Sequence, residues 1–229
     1  MPAKKKRAAA GPQLTKAKST KKPRAISSSK SSSSSSLAIV LAHHSGHYPQ
    51  CSKHPKVQRW GEALSVHGKI YGVDLPKPFN LMNRLVSAYT DVLQSCADKH
   101  DRILLVSVGM GARVAAHMLS SVPGDDGKAL QSLPSVATKA KVVGSVAIAY
   151  PLLRVGSREV RDKPLRAQGK QAPWLFVNGS KDKHMDSNKL QAVRKAMKCS
   201  SAVLDVDGGS DNPDDEVLEA VVARVAQLG

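Results

Sequence analysis

The chain has few aromatic residues and few cysteines, and both scarcities narrow the class of protein. Only 3% of its 229 residues are Phe, Trp or Tyr, so aliphatic side chains must supply most of any hydrophobic core. The three cysteines, Cys51, Cys96 and Cys199, are widely spaced and form no C-x-x-C pair. An odd set of this kind argues against a disulfide framework and favours a reducing intracellular compartment.

Long apolar runs are also missing. No stretch of the sequence reaches the roughly 18 consecutive apolar residues that a membrane span requires, so we expect no membrane partner. The N-terminus has no apolar segment of the signal-peptide type, and we therefore expect no secretory signal.

Acidic residues are absent from residues 1–36, which hold ten of the 35 lysines and arginines. The segment ends in a serine run and has little apolar surface to bury, so we predict a disordered basic tail, followed by one domain over residues 37–229. Its block Lys4-Lys5-Lys6-Arg7 is typical of nuclear localisation signals or phosphate-binding arms. We expect a nuclear location, with cytoplasmic or organellar location as the alternatives. Any nucleic-acid contact through Lys4, Lys5, Lys6 and Arg7 would be non-specific.

Apolar runs of strand length alternate with segments of helical periodicity after the tail. The predicted strands cover residues 37–42, 69–73, 103–108, 142–150, 174–178 and 202–206. The predicted helices cover residues 56–66, 80–97, 187–198, a segment after Gly111, and the C-terminus. Residues 122–138 are rich in Gly, Pro and Asp and are predicted to be a surface insertion. Repeated strand-then-helix order predicts a doubly wound, mostly parallel α/β sheet with helices on both faces.

The final helix carries the clearest signals. Asn212 is predicted to cap it and Pro213 to fit its first turn, with acidic residues next to the positive end of the helix dipole. The predicted apolar stripe faces the sheet and consists of Leu218, Val221, Val222, Val225 and Leu228.

A glycine lies where a hydrolase of this sheet type would hold its nucleophile. Residues 107–111, Ser-Val-Gly-Met-Gly, follow an apolar strand and precede a helix, which is the context of the G-x-S-x-G nucleophile elbow. The closing Gly111 lets the helix pack close to the strand that precedes it. The central residue, Gly109, has no side chain and cannot form an acyl-enzyme.

Four segments in one order resemble a known family. They are the Leu-Ala-His-His-Ser-Gly loop after the first strand, the elbow with Ala112-Arg113 behind it, residues 147–152, and residues 176–182. Together they resemble the α/β-hydrolase-like domain of the testis-expressed and non-specific-lethal (KANSL) complex subunit family, which is more distantly related to dienelactone hydrolases. The resemblance covers about residues 37–229.

The resemblance implies a set of site positions, and at two of the catalytic positions the expected side chain is missing. It places an oxyanion loop at residues 43–47, which include Ser45, an oxyanion-type backbone amide at Met110, the nucleophile at Gly109 and the acid at Asp182. The catalytic histidine should fall within residues 208–212, and none is present. The last histidine, His184, lies in a different loop, so we expect no base beside Gly109. The resemblance therefore implies a catalytically degenerate α/β-hydrolase-like protein that needs no cofactor and acts as a protein-interaction module in a nuclear complex.

Three other hypotheses concern individual residues. An active hydrolase for small ester or acyl substrates would need an atypical nucleophile, for which Ser45 and Ser107 are candidates, although Ser107 is better explained as a packing residue of a buried strand. Cys199 follows two lysines that could lower its thiol pKa, but an inert thiol is favoured. The loop with His43, His44, His47, Cys51 and His54 has spacings found in zinc sites. We favour the view that these residues bind no metal.

Overall fold

The computed structural model describes residues 36–44, 53–77, 81–120, 122–124, 140–157, 159–170, 172–210 and 214–228. The tail predicted over residues 1–36 and the insertion predicted over residues 122–138 lie almost entirely outside these ranges. Among the helices in these ranges, none has the length and apolarity needed to cross a membrane.

Six strands and six helices occur in the described parts of the chain. In chain order they are β1 (Leu37–His44), α1 (Pro55–Leu64), β2 (Lys69–Val73), α2 (Met82–Ala97), β3 (Arg102–Gly109), α3 (Met110–Ser120), β4 (Lys141–Ile148), α4 (Lys163–Arg166), β5 (Trp174–Gly179), α5 (Ser187–Ala196), β6 (Ser201–Val206) and α6 (Asp215–Leu228). Every predicted strand is present. The short α4 was missed, since one turn of helix leaves no periodicity to detect.

The six strands form one parallel sheet in the order β2-β1-β3-β4-β5-β6. The chain leaves β1 toward β2 on one side and returns to β3 on the other, so the strand order reverses between β1 and β3. Ligands of open α/β sheets bind at such a switch point, beyond the carboxyl ends of the strands. His43 and Gly109 lie at these ends.

Helices cover both faces of the sheet, which confirms the doubly wound architecture. On one face α2 and α3 pack over the central strands, with Leu85 and Tyr89 fully buried. On the other face α1 and α6 bury Trp60 and Val221. Buried aliphatic and aromatic side chains thus cover both sides of β1 and β3 and hold these strands in place.

The apolar stripe of α6 faces the sheet as predicted. Leu218 is only 7% exposed, Val221 and Val225 are fully buried, and Val222 is partly buried. The side chain of Leu228 lies outside the described residues.

The predicted cap of α6 is wrong. The helix begins at Asp215, and Asp214 Oδ1 accepts a hydrogen bond from the Val217 amide at 3.0 Å. Asp214 is therefore the capping residue, while Asn212 and Pro213 lie outside the described residues. Several residues in this segment can cap a helix, and the sequence does not rank them.

Gly111 allows α3 to lie against β1. A Cβ atom at this position would lie 2.7 Å from the Ala42 carbonyl oxygen and 3.2 Å from the Ala42 Cβ. The predicted close packing is confirmed, but its partner is the neighbouring strand β1. That contact depends on the order of the strands in the sheet, which the sequence around Gly111 does not predict.

Candidate functional site

The turn between β3 and α3 has the geometry of a nucleophile elbow. Gly109 is the last residue of β3, has a φ of 57° in the left-handed region, and is followed directly by Met110, the first residue of α3. The first amides of a helix have no partner within the helix, and Met110 places the start of α3 directly beside this turn. The junction has the conformation in which a hydrolase presents its nucleophile, but it carries no side chain.

A cavity of about 600 Å³ opens above Gly109. Residues at the ends of β1, β3 and β4 and in the loop after β5 line it, among them His43, Tyr150 and Asp182. None of the described residues that line this cavity is a serine, threonine or cysteine. The described part of the cavity wall therefore offers no hydroxyl or thiol nucleophile of the usual kinds.

The wall of the cavity also contains a strained residue. Ala149 follows β4, lines the cavity and has a φ of 50°, a conformation that residues other than glycine rarely adopt. Its amide donates a 3.0 Å hydrogen bond to the Val177 carbonyl oxygen, which ties this turn to β5. Backbone strain of this kind clusters at functional sites because the surrounding structure must maintain it.

Asp182, at the predicted acid position, lies on the same cavity and is bound to its neighbouring loops. Its Oδ2 accepts a 2.6 Å hydrogen bond from the Gly179 amide and a second bond from the Ser210 hydroxyl, and its Oδ1 accepts a 3.0 Å bond from the Ser210 amide. Ser210 is fully buried and belongs to the loop in which the catalytic histidine was sought. Ser210 thus makes hydrogen bonds to the Asp182 carboxylate of the kind that a catalytic histidine would make. Sequence reasoning missed this contact, because residues 182 and 210 are brought together only by the β5–β6 pairing.

Two histidines line the cavity, although the sequence predicted no base beside Gly109. His43 is 6% exposed, and its ring lies 4.8 Å from the ring of His54, whose Nδ1 accepts a hydrogen bond from the Lys56 amide and caps α1. His184 is exposed and also lines the cavity, so its loop is not remote from the site.

Ser107 is a packing residue, which confirms the preferred interpretation of this position. It is fully buried, and its hydroxyl lies 2.9 Å from the Tyr89 hydroxyl, so the two form a hydrogen bond inside the core. Cys199 is also buried, and burial raises the pKa of its thiol, which agrees with an inert cysteine.

The remaining predicted residues lie outside the described ranges. These are Ser45, His47, Cys51 and the side chain of His44. Within the described parts of the chain, no group of three or more His, Cys, Asp or Glu residues could hold a metal ion.

The edge of the cavity is basic. Arg161, Lys181 and Lys183 line it together with Asp182, which is the only acidic residue among the described lining residues. Three cationic side chains against one carboxylate give the described lining a net positive charge. The site favours a ligand with negative or electron-rich groups.

Residues 74–212 match the sequence profile of the alpha/beta hydrolase domain family. The match spans more than half of the chain, and the chain therefore belongs to this family. No curated protein matches the sequence significantly.

Solved structures with the same fold include several hydrolases. They include esterase 2 of Thermogutta terrifontis phosphoramylated by tabun (TM-score 0.60, 14% identity, 85% of this chain and 84% of that chain). The RedJ thioesterase from the prodiginine biosynthetic pathway of Streptomyces coelicolor has a TM-score of 0.57 at 15% identity, over 84% of this chain and 86% of that one. Dienelactone hydrolase from Anabaena variabilis also has a TM-score of 0.57 at 15% identity, over 86% of both chains. At these identities the likeness establishes the fold alone.

Proposed function

We propose that this chain is an α/β hydrolase homologue without triad catalysis, which uses its domain as a protein-interaction module in a nuclear assembly. The observation that carries the proposal is Gly109. It adopts the left-handed conformation of the elbow at a φ of 57°, yet has no atom that could attack an acyl group.

The contacts of Asp182 support the same proposal. In a working triad the acid orients a histidine, whereas here Ser210 donates two hydrogen bonds to the acid. Loss of one triad member already removes most of the rate, because the members act as a unit. With no nucleophile at residue 109, and with no histidine of the described residues bound to Asp182, ordinary triad hydrolysis is unsupported.

The nuclear part of the proposal rests on the sequence. The basic block Lys4-Lys5-Lys6-Arg7 and the resemblance to the KANSL complex subunit family both favour a protein of nuclear complexes. A fluorescent fusion too large for passive diffusion tests this location. Replacing Lys4, Lys5, Lys6 and Arg7 with alanine should abolish nuclear accumulation, whereas the control Lys16→Ala/Lys18→Ala should not. Nuclear accumulation of the first variant would contradict the assignment.

An active hydrolase with an atypical nucleophile is the second candidate. It is favoured by His43 and His184, which line the cavity and could act as bases. Its nucleophile would have to come from outside the described wall, and Ser45 is the residue predicted for that role.

Covalent labelling with a fluorophosphonate probe separates the two candidates. The full chain should remain unlabelled, and its turnover of a p-nitrophenyl ester should equal that of Gly109→Ala. Stoichiometric labelling that disappears in Ser45→Ala would establish the second candidate and overturn the first.

Variants at the elbow sharpen the test. Gly109→Ser and Gly109→Ala both place a Cβ at a positive φ, so each should lower the stability by about 1–2 kcal/mol. Gly109→Ser alone should show no more ester turnover than Gly109→Ala, because Asp182 binds Gly179 and Ser210 and orients no histidine of the described residues. Turnover by Gly109→Ser that is lost on adding His43→Ala would reveal a base that the proposal denies.

A further inference from the structure

A second cavity of about 600 Å³ lies beyond the carboxyl ends of β5 and β6, next to α5 and α6. Its described lining includes four carboxylates, those of Asp205, Asp207, Asp214 and Glu216, and no lysine, arginine or histidine. The chain as a whole carries a formal charge of +17. A cavity lined by acids on such a basic chain has the sign to select a cationic ligand.

Asn178 adds an observation that is independent of the carboxylates. It lines the cavity and is only 3% exposed, yet neither its Oδ1 nor its Nδ2 has a hydrogen-bond partner. Buried amide groups in folded proteins are nearly always hydrogen-bonded, so each exception needs an explanation. An unpartnered Oδ1 beside acidic residues is an acceptor suited to an N–H donor of a bound cation.

The sheet register places Asn178 beside one of the acids. Asn178 on β5 pairs with Asp205 on the parallel strand β6, and side chains at paired positions point to the same face of a sheet. A single ammonium group bound at this pair could donate to the amide oxygen and to the carboxylate. Such charge-assisted hydrogen bonds are stronger than neutral ones.

The described lining suits an organic cation better than a metal ion. No three of the described acidic residues approach one another closely enough to hold a metal. The separated carboxylates suit a ligand with several separated positive charges, and Leu204, Val217 and Ala220 add apolar surface to the cavity lining. Methylene chains suit such a wall, and the volume is within the range of small-molecule sites.

We propose that this cavity binds an aliphatic chain bearing two or more primary ammonium groups, with Asn178 and Asp205 holding one of them. A polyamine and the lysine side chains of a basic peptide share this chemistry. This cavity shares no described lining residue with the cavity above Gly109, and the proposal is one of binding without a chemical reaction.

Calorimetric titration of the full chain with spermidine, and separately with a pentalysine peptide, tests the proposal at about 0.15 M salt. Asn178→Leu should weaken binding about tenfold, because it removes an acceptor of a charged donor. Its melting temperature should stay the same or rise, since no hydrogen bond is lost in the free protein. Asp205→Asn should weaken binding about three- to fivefold, as expected for an exposed ion pair.

Glu216→Gln and Glu219→Gln form the matched control pair. They remove the same charge from the same helix, but only Glu216 lines the cavity. Glu216→Gln should weaken binding about threefold and Glu219→Gln less than about twofold. Binding of spermidine alone would identify a small polyamine as the ligand, and binding of pentalysine alone a basic peptide.

Three results would overturn the proposal. The first is that neither spermidine nor pentalysine binds. The second is that Glu216→Gln and Glu219→Gln lose the same amount of affinity, and the third is that Mg²⁺ displaces spermidine at an equal concentration of charge. If Asn178→Leu does not fold, Asp205→Asn decides the outcome: its side chain is exposed, so the variant should fold, and undiminished binding by it would then overturn the proposal.

Discussion

Two helical glycines should respond in opposite directions when each is replaced by alanine. Gly111 lies in the first turn of α3, where a Cβ would be 2.7 Å from the Ala42 carbonyl oxygen and 2.9 Å from its carbonyl carbon. Gly61 lies in α1, where a Cβ would be 3.7 Å from Ile70 Cγ2 and 3.8 Å from Leu41 Cδ2, both ordinary contact distances.

The magnitudes follow from these distances. At Gly111 the backbone of β1 cannot yield, so α3 must move away by about half an ångström, and overpacking of this kind costs about 1–3 kcal/mol. Replacing a helical glycine with alanine stabilises the helix by up to about 1 kcal/mol, and by less in the first turn. The net loss of stability in Gly111→Ala should therefore be about 1–2 kcal/mol. At Gly61 the gain has no opposing clash, and the variant should be more stable by about 0.5–1 kcal/mol.

Thermal and urea unfolding followed by circular dichroism at 222 nm measures both effects. A domain of this size shifts by about 2–4 °C per kcal/mol, so Gly111→Ala should melt about 2–8 °C lower and Gly61→Ala about 1–4 °C higher. A Gly111→Ala protein at least as stable as the wild type would show that α3 does not lie against β1 as described, and the reasoning about the elbow would fail with it.

Three further predictions concern burial and hydrogen bonding. Leu218→Ala should destabilise the domain by about 2–5 kcal/mol in urea unfolding, because it empties a buried site under α6, and an unchanged midpoint would contradict the packing of that helix. Asp182→Ala should cost about 2–4 kcal/mol, since it leaves three donors without an acceptor, whereas Asp186→Ala removes one capping bond of α5 and should cost about 1 kcal/mol. Burial raises the pKa of the Cys96 thiol to about 11, so iodoacetamide at pH 8 should alkylate Cys96 only after unfolding. Because the thiol of the unfolded chain has its ordinary pKa of 9.0, the contribution of Cys96 to stability is complete below that pH and is lost as the pH rises toward 11.

The strands of this fold were predictable because most are short apolar runs. β1, β3, β4 and β5 are covered on both faces, so their sequences are almost continuously hydrophobic, and the predicted positions agree with the structure to within about two residues. The order of the strands in the sheet was not predictable, because β1 and β3 have similar apolar sequences that do not indicate which strands are neighbours. The partner of Gly111 was missed for this reason.

The candidate site was predictable only where its residues are adjacent in sequence. Residues 107–111 define the elbow, and the positive φ of Gly109 agrees with that prediction. The contact of Ser210 with Asp182, the burial of His43 and the position of His184 on the cavity all depend on loops that meet at the carboxyl edge of the sheet. Asn178 was missed too, because an unpartnered amide is recognised only once its surroundings are known.

The hydrogen bonds of Asp182 have a consequence for how sequences of this fold are interpreted. The aspartate holds the turn after β5 to the loop after β6, so selection for folding would retain it after selection for activity has ceased. Its presence in a homologue therefore carries little information about whether that homologue is an enzyme. The informative positions are Gly109 and the loop of residues 208–212, where a serine and a histidine, respectively, would have catalytic value and little obvious structural value.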